Sequence, residues 1–212
     1  VDGLSAEVKK DTKITGGGNL ILGSESFKNA ELKGNTGDGS SITYELTGGA
    51  TMANTNSNRY FRWTTVGAYV AKGVTLCLSV MYKPVSGADE FCMEIAYTAG
   101  YSTSQSWATI KPTDQLEIEQ TDGWVLRYGL WTPPDNATLK LVDMGSGTTH
   151  AGTGNYTNKF SLLHPMLQYG NAPTAWNASS GDYLTQESAK SLFSQTADEI
   201  KTEVTKSVTE TV

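Results

Sequence analysis

Apolar and polar residues alternate along two segments in the middle of the chain. In residues 74–82 every second side chain is apolar, and residues 91–97 repeat this spacing. A period of two residues predicts β-strands with one buried face. Residues 86–89 (SGAD) lie between the two segments, and their Gly and Asp predict a hairpin turn that pairs the strands.

Shorter apolar segments bounded by Gly, Pro, Asn and Asp predict further strands. They are residues 19–22, 42–46, 60–66, 107–110, 116–118, 124–131, 137–142 and 160–169. About ten strands with turn signals every ~8–15 residues favour an all-β fold, an antiparallel two-sheet β-sandwich. No long helical pattern interrupts them, so parallel βαβ units are not expected. We assign this module to residues 17–180.

Helical spacing is confined to the two ends of the chain. Residues 1–16 predict the end of a helix that three glycines terminate. Residues 181–212 carry an apolar side chain about every four residues, in a stripe made of Phe193, Ala197, Ile200, Val204 and Val208. So narrow a stripe is marginal in water unless it packs against copies of itself. The alternatives are a coiled-coil stalk, of trimeric type, and a frayed tail.

Charge and composition exclude several classes of partner. The formal net charge is −6 and the pI is near 4.9, so a basic surface for nucleic acid or anionic lipid is not expected. No apolar run approaches the ~20 residues of a membrane span. A start at Val1 without Met indicates a fragment of a longer chain. Cys77 and Cys92 lie within apolar runs and are either buried free thiols or a disulfide pair.

Catalytic motifs are missing from the sequence. His164 lies in an apolar strand, which indicates a packed histidine, and His150 lies in a loop rich in Gly and Thr. Glu117 and Glu119 share one face of a strand. Two carboxylates of this kind are what a glycosidase requires, but a solvated strand edge also explains them. We therefore predict a protein that is not an enzyme, with a polysaccharide hydrolase as the less favoured alternative.

Aromatic residues are abundant, with five Trp and ten Tyr. Sugars are bound by exposed aromatic rings together with planar amide, guanidinium or carboxylate groups. Trp131 and Arg127 share a strand face, so a ring and a guanidinium are expected on the same side. The predicted carbohydrate-binding residues form a shallow groove and are Trp63, Tyr97, Tyr101, Trp107, Arg127 and Trp131. Trp124 is expected to be buried, and Trp176 to cover the base of the module.

Four segments occur in an order that resembles a known family. They are NLILGSESF (19–27), KGVTLCLSVMYKP (72–84), DGWVLRYGLWTPP (122–134) and HPMLQYGNAPTAWNAS (164–179). Together they resemble the jelly-roll carbohydrate-binding modules in tail and baseplate proteins of bacteriophages that infect Gram-positive hosts. The segment SQTADEIKTEVTKSV (194–208) resembles the helical repeats that flank such modules.

The resemblance implies a non-catalytic module that binds a saccharide on the host cell surface, located extracellularly on the phage tail. Implied partners are that saccharide, other tail segments and two further copies through the stalk, without nucleic acid or membrane. A structural spacer without ligand is the alternative. Related modules often carry an acidic pair in the final strand near a structural calcium, whereas this strand contains LLHPML. No cofactor is therefore predicted, although Glu25, Asp38 and Asp143 have oxygen ligands suited to calcium.

Overall fold

The protein is a sandwich of two antiparallel β-sheets in a computed structural model that describes residues 18–34, 39–147 and 156–179. Twelve strands and three short 3-10 helices make up this region. The strands are β1 (Glu31–Gly34), β2 (Ser41–Tyr44), β3 (Ala50–Ser57), β4 (Arg59–Thr64), β5 (Tyr69–Val70), β6 (Leu76–Gly87), β7 (Phe91–Ala99), β8 (Gln105–Ile110), β9 (Leu116–Glu119), β10 (Val125–Trp131), β11 (Ala137–Ser146) and β12 (Tyr156–Tyr169). The 3-10 helices are Phe27–Asn29, Pro112–Asp114 and Thr121–Gly123. None of the helices in the described ranges is long and apolar enough to cross a membrane.

The strands form two six-stranded sheets. Sheet I has the order β1-β4-β11-β7-β8, with β5 also paired to β11. Sheet II has the order β2-β3-β12-β6-β10-β9. This arrangement confirms the predicted all-β, two-sheet antiparallel class. The predicted helical segments 1–16 and 181–212 lie outside the described residues, as do His150 and Asp38.

The hydrophobic core lies between the sheets and is rich in aromatic rings. Phe27 contacts Phe61 and Trp63 with its ring centroid 4.9 and 5.0 Å from theirs. Tyr82 and Phe160 of sheet II meet Phe91 of sheet I at 5.0 and 5.6 Å. These edge and tilted contacts join the two layers.

Several elements differ from the sequence prediction. Residues 86–89 do not form a hairpin, because β6 belongs to sheet II and β7 to sheet I, so this connection crosses between the sheets. Residues 19–22 contribute only an isolated bridge from Ile21 to Thr65. Strand β3, which the sequence did not indicate, pairs with both β2 and β12. Its sequence ATMANTNS is polar, and cross-strand hydrogen bonding outweighs its weak β-propensity.

Both cysteines are buried free thiols, which confirms the first of the two readings of the sequence. Cys77 lies on β6 of sheet II and Cys92 on β7 of sheet I. Burial raises the pKa of each thiol to about 12. Both therefore remain protonated and act as small apolar side chains.

The two ends of the module are joined by one buried amide. Asn19 is 1% exposed, and its Nδ2 donates to Pro165 O at 2.9 Å and to Asn177 O at 3.1 Å. Its Oδ1 accepts from the backbone N–H groups of Ile21 and Leu167 at 3.1 Å each. The first described residues are thereby fastened to β12 and to the segment that follows it.

Candidate functional site

The outer face of sheet I carries a cluster of polar and aromatic side chains. Alternation along β4 turns Phe61 and Trp63 into the core and directs Tyr60 and Arg62 outward. The strand register places Arg62 opposite Asp143, Asp143 opposite Glu94, and Glu94 opposite Thr109. One row across four strands therefore contains a guanidinium, two carboxylates and a hydroxyl.

Hydrogen bonds hold this row in place. The Arg62 Nε donates to Asp143 Oδ1 at 2.8 Å, and its Nη2 donates to Oδ2 at 2.7 Å. The Thr109 hydroxyl donates to Glu94 Oε1 at 2.9 Å. Asp143 and Glu94 are fully buried. The hydrogen bond that Arg62 donates to Asp143 raises the pKa of Arg62 more than burial lowers it, so the guanidinium is charged and fixed in direction.

Two aromatic rings flank this guanidinium. The Arg62 Cζ lies 5.3 Å from the ring centroid of Trp107 and 5.5 Å from that of Tyr60. Trp107 is half-buried on β8, in register with Ala96 of β7. A half-buried indole beside a fixed guanidinium combines a flat apolar surface with hydrogen-bonding groups. This is the combination that a pyranose ring requires.

The face continues past Trp107 into a shallow open cavity of about 560 Å³. Five of its six lining residues have a hydroxyl, amide or ammonium group in the side chain, and the six are Thr98, Ser102, Thr103, Gln105, Lys140 and Leu141. We call Tyr60, Arg62, Glu94, Trp107, Thr109 and Asp143 together with this cavity the sheet I face. With this cavity, the sheet I face extends further along the strands than the residues around Arg62 alone.

The predicted groove is only partly present. Trp107 lies on the sheet I face, and Tyr101 is fully exposed in the turn between β7 and β8. Trp63 is 2% exposed in the core against Phe27, so it has no surface for a ligand. Tyr97 is 9% exposed, and its ring lies 4.6 Å from that of Trp131 across the sandwich interior. In this arrangement the aromatic contacts of Trp63, Tyr97 and Trp131 belong to packing.

Arg127 also points into the sandwich, which corrects the expectation that it faces a ligand. It does share a strand face with Trp131, but that face is the inner one. Its Nε donates to Glu117 Oε1 at 2.6 Å, and its Nη1 donates to Asp89 Oδ1 at 2.8 Å. Its Cζ lies 3.9 Å from the ring centroid of Tyr82. Burial lowers the pKa of Arg127, yet the hydrogen bond and charge of Asp89 outweigh burial, so the pKa is raised overall.

The contacts of Arg127 also concern Glu117, one of the two carboxylates considered for a hydrolase. Glu117 forms an ion pair with Arg127. That contact uses one of the two strand carboxylates in neutralising an inward guanidinium. A structural role for Glu117 is therefore sufficient to explain its position.

The sequence analysis missed Arg62, Glu94 and Asp143 as site residues. Arg62 alternates with core aromatics on β4, and Glu94 and Asp143 each interrupt an apolar strand. A charged residue within an otherwise apolar strand was the available signal. Its functional meaning depends on the neighbouring strands, which the local sequence does not specify.

Trp176 lies against the outer side of sheet II. Its ring stacks on that of His164 with 4.5 Å between centroids and 17° between planes, and its Nε1 donates to Pro165 O at 3.2 Å. His164 is half-buried, and burial lowers the pKa of its imidazole. The expected packed histidine is thus packed against Trp176. Trp124, which we expected to be buried, is half-buried, with the Lys83 Nζ 6.0 Å from its ring centroid.

Two of the carboxylates considered for calcium, Glu25 and Asp143, lie in the described part of the chain and are bound by protein groups. Both oxygens of Asp143 accept from Arg62, and Glu25 Oε1 accepts from Asn29 Nδ2 at 2.6 Å. Within residues 18–34, 39–147 and 156–179, no three His, Cys, Asp or Glu residues come together as a metal site would require. Glu25 and Asp143 therefore do not provide the converging oxygen ligands that a calcium ion needs.

No protein-family model matches the chain, and no curated protein sequence is similar to it. The enzymatically active domain of tailspike protein 4 from bacteriophage CBA120 is similar at 12% identity with a TM-score of 0.45, covering 71% of this chain. This chain spans 21% of that tailspike chain.

Two carbohydrate-binding modules are also among the similar solved structures. The Family 16 Carbohydrate Binding Module-2 matches at 15% identity with a TM-score of 0.41, covering 70% of this chain and 99% of its own. The CBM22-1 xylan-binding domain from Paenibacillus barcinonensis matches at 14% identity with a TM-score of 0.38, covering 75% and 100%.

Proposed function

We propose that the chain is a non-catalytic saccharide-binding module whose ligand lies along the sheet I face. The observation that carries this proposal is the Trp107 ring beside the fixed Arg62 guanidinium, on a row that also holds Asp143 and Glu94. The indole stacks on the C–H face of a sugar ring. The Arg62 guanidinium, which the buried Asp143 holds in place, and the adjoining cavity bind its hydroxyl groups.

The biological setting we propose is the tail or baseplate of a bacteriophage, where the module assists recognition of the bacterial surface. Support for this setting comes from the resemblance of segments 19–27, 72–84, 122–134 and 164–179 to modules of such proteins. A single stacking contact contributes only about 0.5–1.5 kcal/mol, so one module binds weakly. A trimeric stalk formed by 181–212 raises avidity by factors of about 10² or more.

The test is binding by calorimetry and by pull-down on isolated Gram-positive cell walls. Purified cell-wall polysaccharides and two soluble saccharides are suitable probes. The soluble probes are xylohexaose and a β-1,3-1,4-mixed-linked tetrasaccharide, which are the ligands in two further similar structures of proteins with carbohydrate-binding modules. Trp107→Ala should weaken binding by roughly 2- to 13-fold, the equivalent of one stacking contact. Trp124→Ala removes a half-buried indole near Lys83 of sheet II and should leave binding unchanged.

Other results of these experiments would exclude Trp107 from the site or favour one of the alternative functions. Equal loss in both variants, or none in either, would show that Trp107 does not contact the ligand. A folded wild-type protein that binds no wall and no saccharide would be a spacer. Release of reducing sugar from wall polysaccharide would establish the hydrolase instead.

A further inference from the structure

A second concave site adjoins the turn between β7 and β8, whose residues Gly100 and Tyr101 contribute to its lining. It is an open cavity of about 400 Å³ lined by Tyr69, Ala99, Gly100, Tyr101, Asp135 and Asn136. This volume is within the range of small-molecule sites. We refer to it as the end pocket.

Two tyrosine rings border the end pocket and face solvent. Tyr69 is 61% exposed and Tyr101 is fully exposed, whereas Tyr60, Tyr82 and Tyr97 are at most 9% exposed. Tyr69 is held by β5, which pairs with β11, and its carbonyl accepts from the hydroxyl of Tyr169 at 2.9 Å. The backbone that carries this ring is therefore anchored at two places although the ring itself is not packed.

The polar groups of the end pocket are oriented by the backbone. The Asn136 Oδ1 accepts from the Lys72 N–H at 2.9 Å, which directs the Nδ2 donor of that amide away from Lys72. The Asp135 Oδ1 accepts from the Asn136 N–H at 2.7 Å. The Gly100 N–H donates to Asn136 O at 2.7 Å, which ties the β7–β8 turn to this segment. A donor amide and an acceptor carboxylate are thus presented together between two rings.

Gly100 shapes the turn beside the carboxylate. Its φ is +51°, a backbone conformation that strains residues with a side chain. A Cβ built at this position would be in ordinary van der Waals contact with Asp135 Oδ2, at 3.4 Å. The backbone of the turn therefore passes next to the oxygen that Asn136 does not engage.

We propose that the end pocket is a second saccharide-binding site, independent of the sheet I face and suited to a neutral or amino sugar. Exposed rings with a carboxylate and an amide bind the C–H faces and hydroxyls of a pyranose. Asp135 provides a negative charge, and no lining residue is basic, which disfavours uronic acids and other anionic glycans. The proposal extends the saccharide-binding function proposed above, but its residues are separate from those of the sheet I face.

Amide NMR titration of the whole chain distinguishes the two sites. The probes are neutral oligosaccharides of increasing length, with glucosamine-containing and uronic-acid-containing counterparts. We expect neutral or amino sugars to shift the amide signals of Gly100, Tyr101 and Asn136, and uronic acids to leave them unchanged. Tyr101→Ala and Tyr69→Ala should each weaken this response by roughly 2- to 13-fold. Tyr101→Phe, which keeps the ring, should retain most of it.

Trp107→Ala should leave the end-pocket shifts intact and weaken the response of Thr98 and Thr109 by roughly 2- to 13-fold. Shifts at the sheet I face without any at Gly100 and Asn136 would overturn the end pocket and leave the proposed function standing. Shifts at the end pocket alone would overturn the sheet I face as a binding site and leave the end pocket standing. Uronic acids that bind more strongly than neutral sugars would overturn the assigned ligand class, and absence of shifts at both sites would overturn both proposals.

Discussion

Replacement of Asn19 by alanine tests how the ends of the module are held. The side chain is 1% exposed and donates to Ser24 Oγ, Pro165 O and Asn177 O at 2.9 to 3.1 Å. It also accepts from two backbone N–H groups at 3.1 Å. Alanine removes these hydrogen bonds and leaves buried backbone groups without them, at about 1–3 kcal/mol for each such group.

The expected loss is about 3–6 kcal/mol in the free energy of unfolding, since part of the backbone around the site can relax toward water. This is a large fraction of the ~5–15 kcal/mol of a typical domain. At roughly 2–4 °C per kcal/mol for a chain of this size, the melting temperature should fall by between roughly 6 and 24 °C. Urea unfolding followed by circular dichroism measures the free energy, and calorimetry measures the melting temperature.

Asn29 provides the matched control. It is an exposed asparagine whose Nδ2 donates to Glu25 Oε1 at 2.6 Å and to Gly23 O at 3.3 Å. Water can replace these bonds, so Asn29→Ala should cost less than about 1 kcal/mol. If Asn19→Ala destabilises the protein no more than Asn29→Ala does, the buried amide does not hold the two ends together and the reasoning fails.

Two further predictions concern packing and pH. A Cβ at Gly129 would lie 2.4 Å from Cγ2 of Ile110, so Gly129→Ala should cost about 1–3 kcal/mol in urea unfolding. In an Ile110→Ala background that added cost should largely disappear, and an unchanged cost would refute the steric explanation. Burial lowers the pKa of His164, so the folded state binds the proton less tightly than the unfolded chain does. Stability should therefore decrease as the pH falls through about 6.5, and His164→Asn, which tolerates the φ of +58° at this position, should remove this dependence. An identical pH profile for variant and wild type in urea titrations would contradict it.

The sequence predicted which segments form strands, but it did not predict which sheet each strand joins. The alternation in 74–82 and 91–97 correctly predicted β6 and β7. The short turn between them suggested a hairpin, whereas the two strands belong to opposite sheets. A turn of a few residues specifies a change of direction, and the partners of each strand decide which layer it joins.

The candidate site was also only partly predictable from the sequence. Trp107 was predicted and lies on the sheet I face, but the guanidinium beside it is Arg62 and not Arg127. On β10 both faces carry apolar residues, so periodicity could not tell the inner face from the outer one. Arg127 is stable inside because Glu117 on the paired strand β9 and Asp89, which is distant in sequence, neutralise it there.

The sequence by itself determined that the chain forms short antiparallel strands, that its thiols are buried, and that it is rich in aromatic and hydroxyl side chains. Only the tertiary structure decided which side of each strand faces the core and which polar side chains become neighbours. The physical reason is that alternation shows that every second side chain shares one face of a strand, but it does not show which face is buried. This choice is the phase of the two-residue period. The phase is chosen by cross-strand pairing and by burial between two sheets, and both depend on residues far apart in the chain.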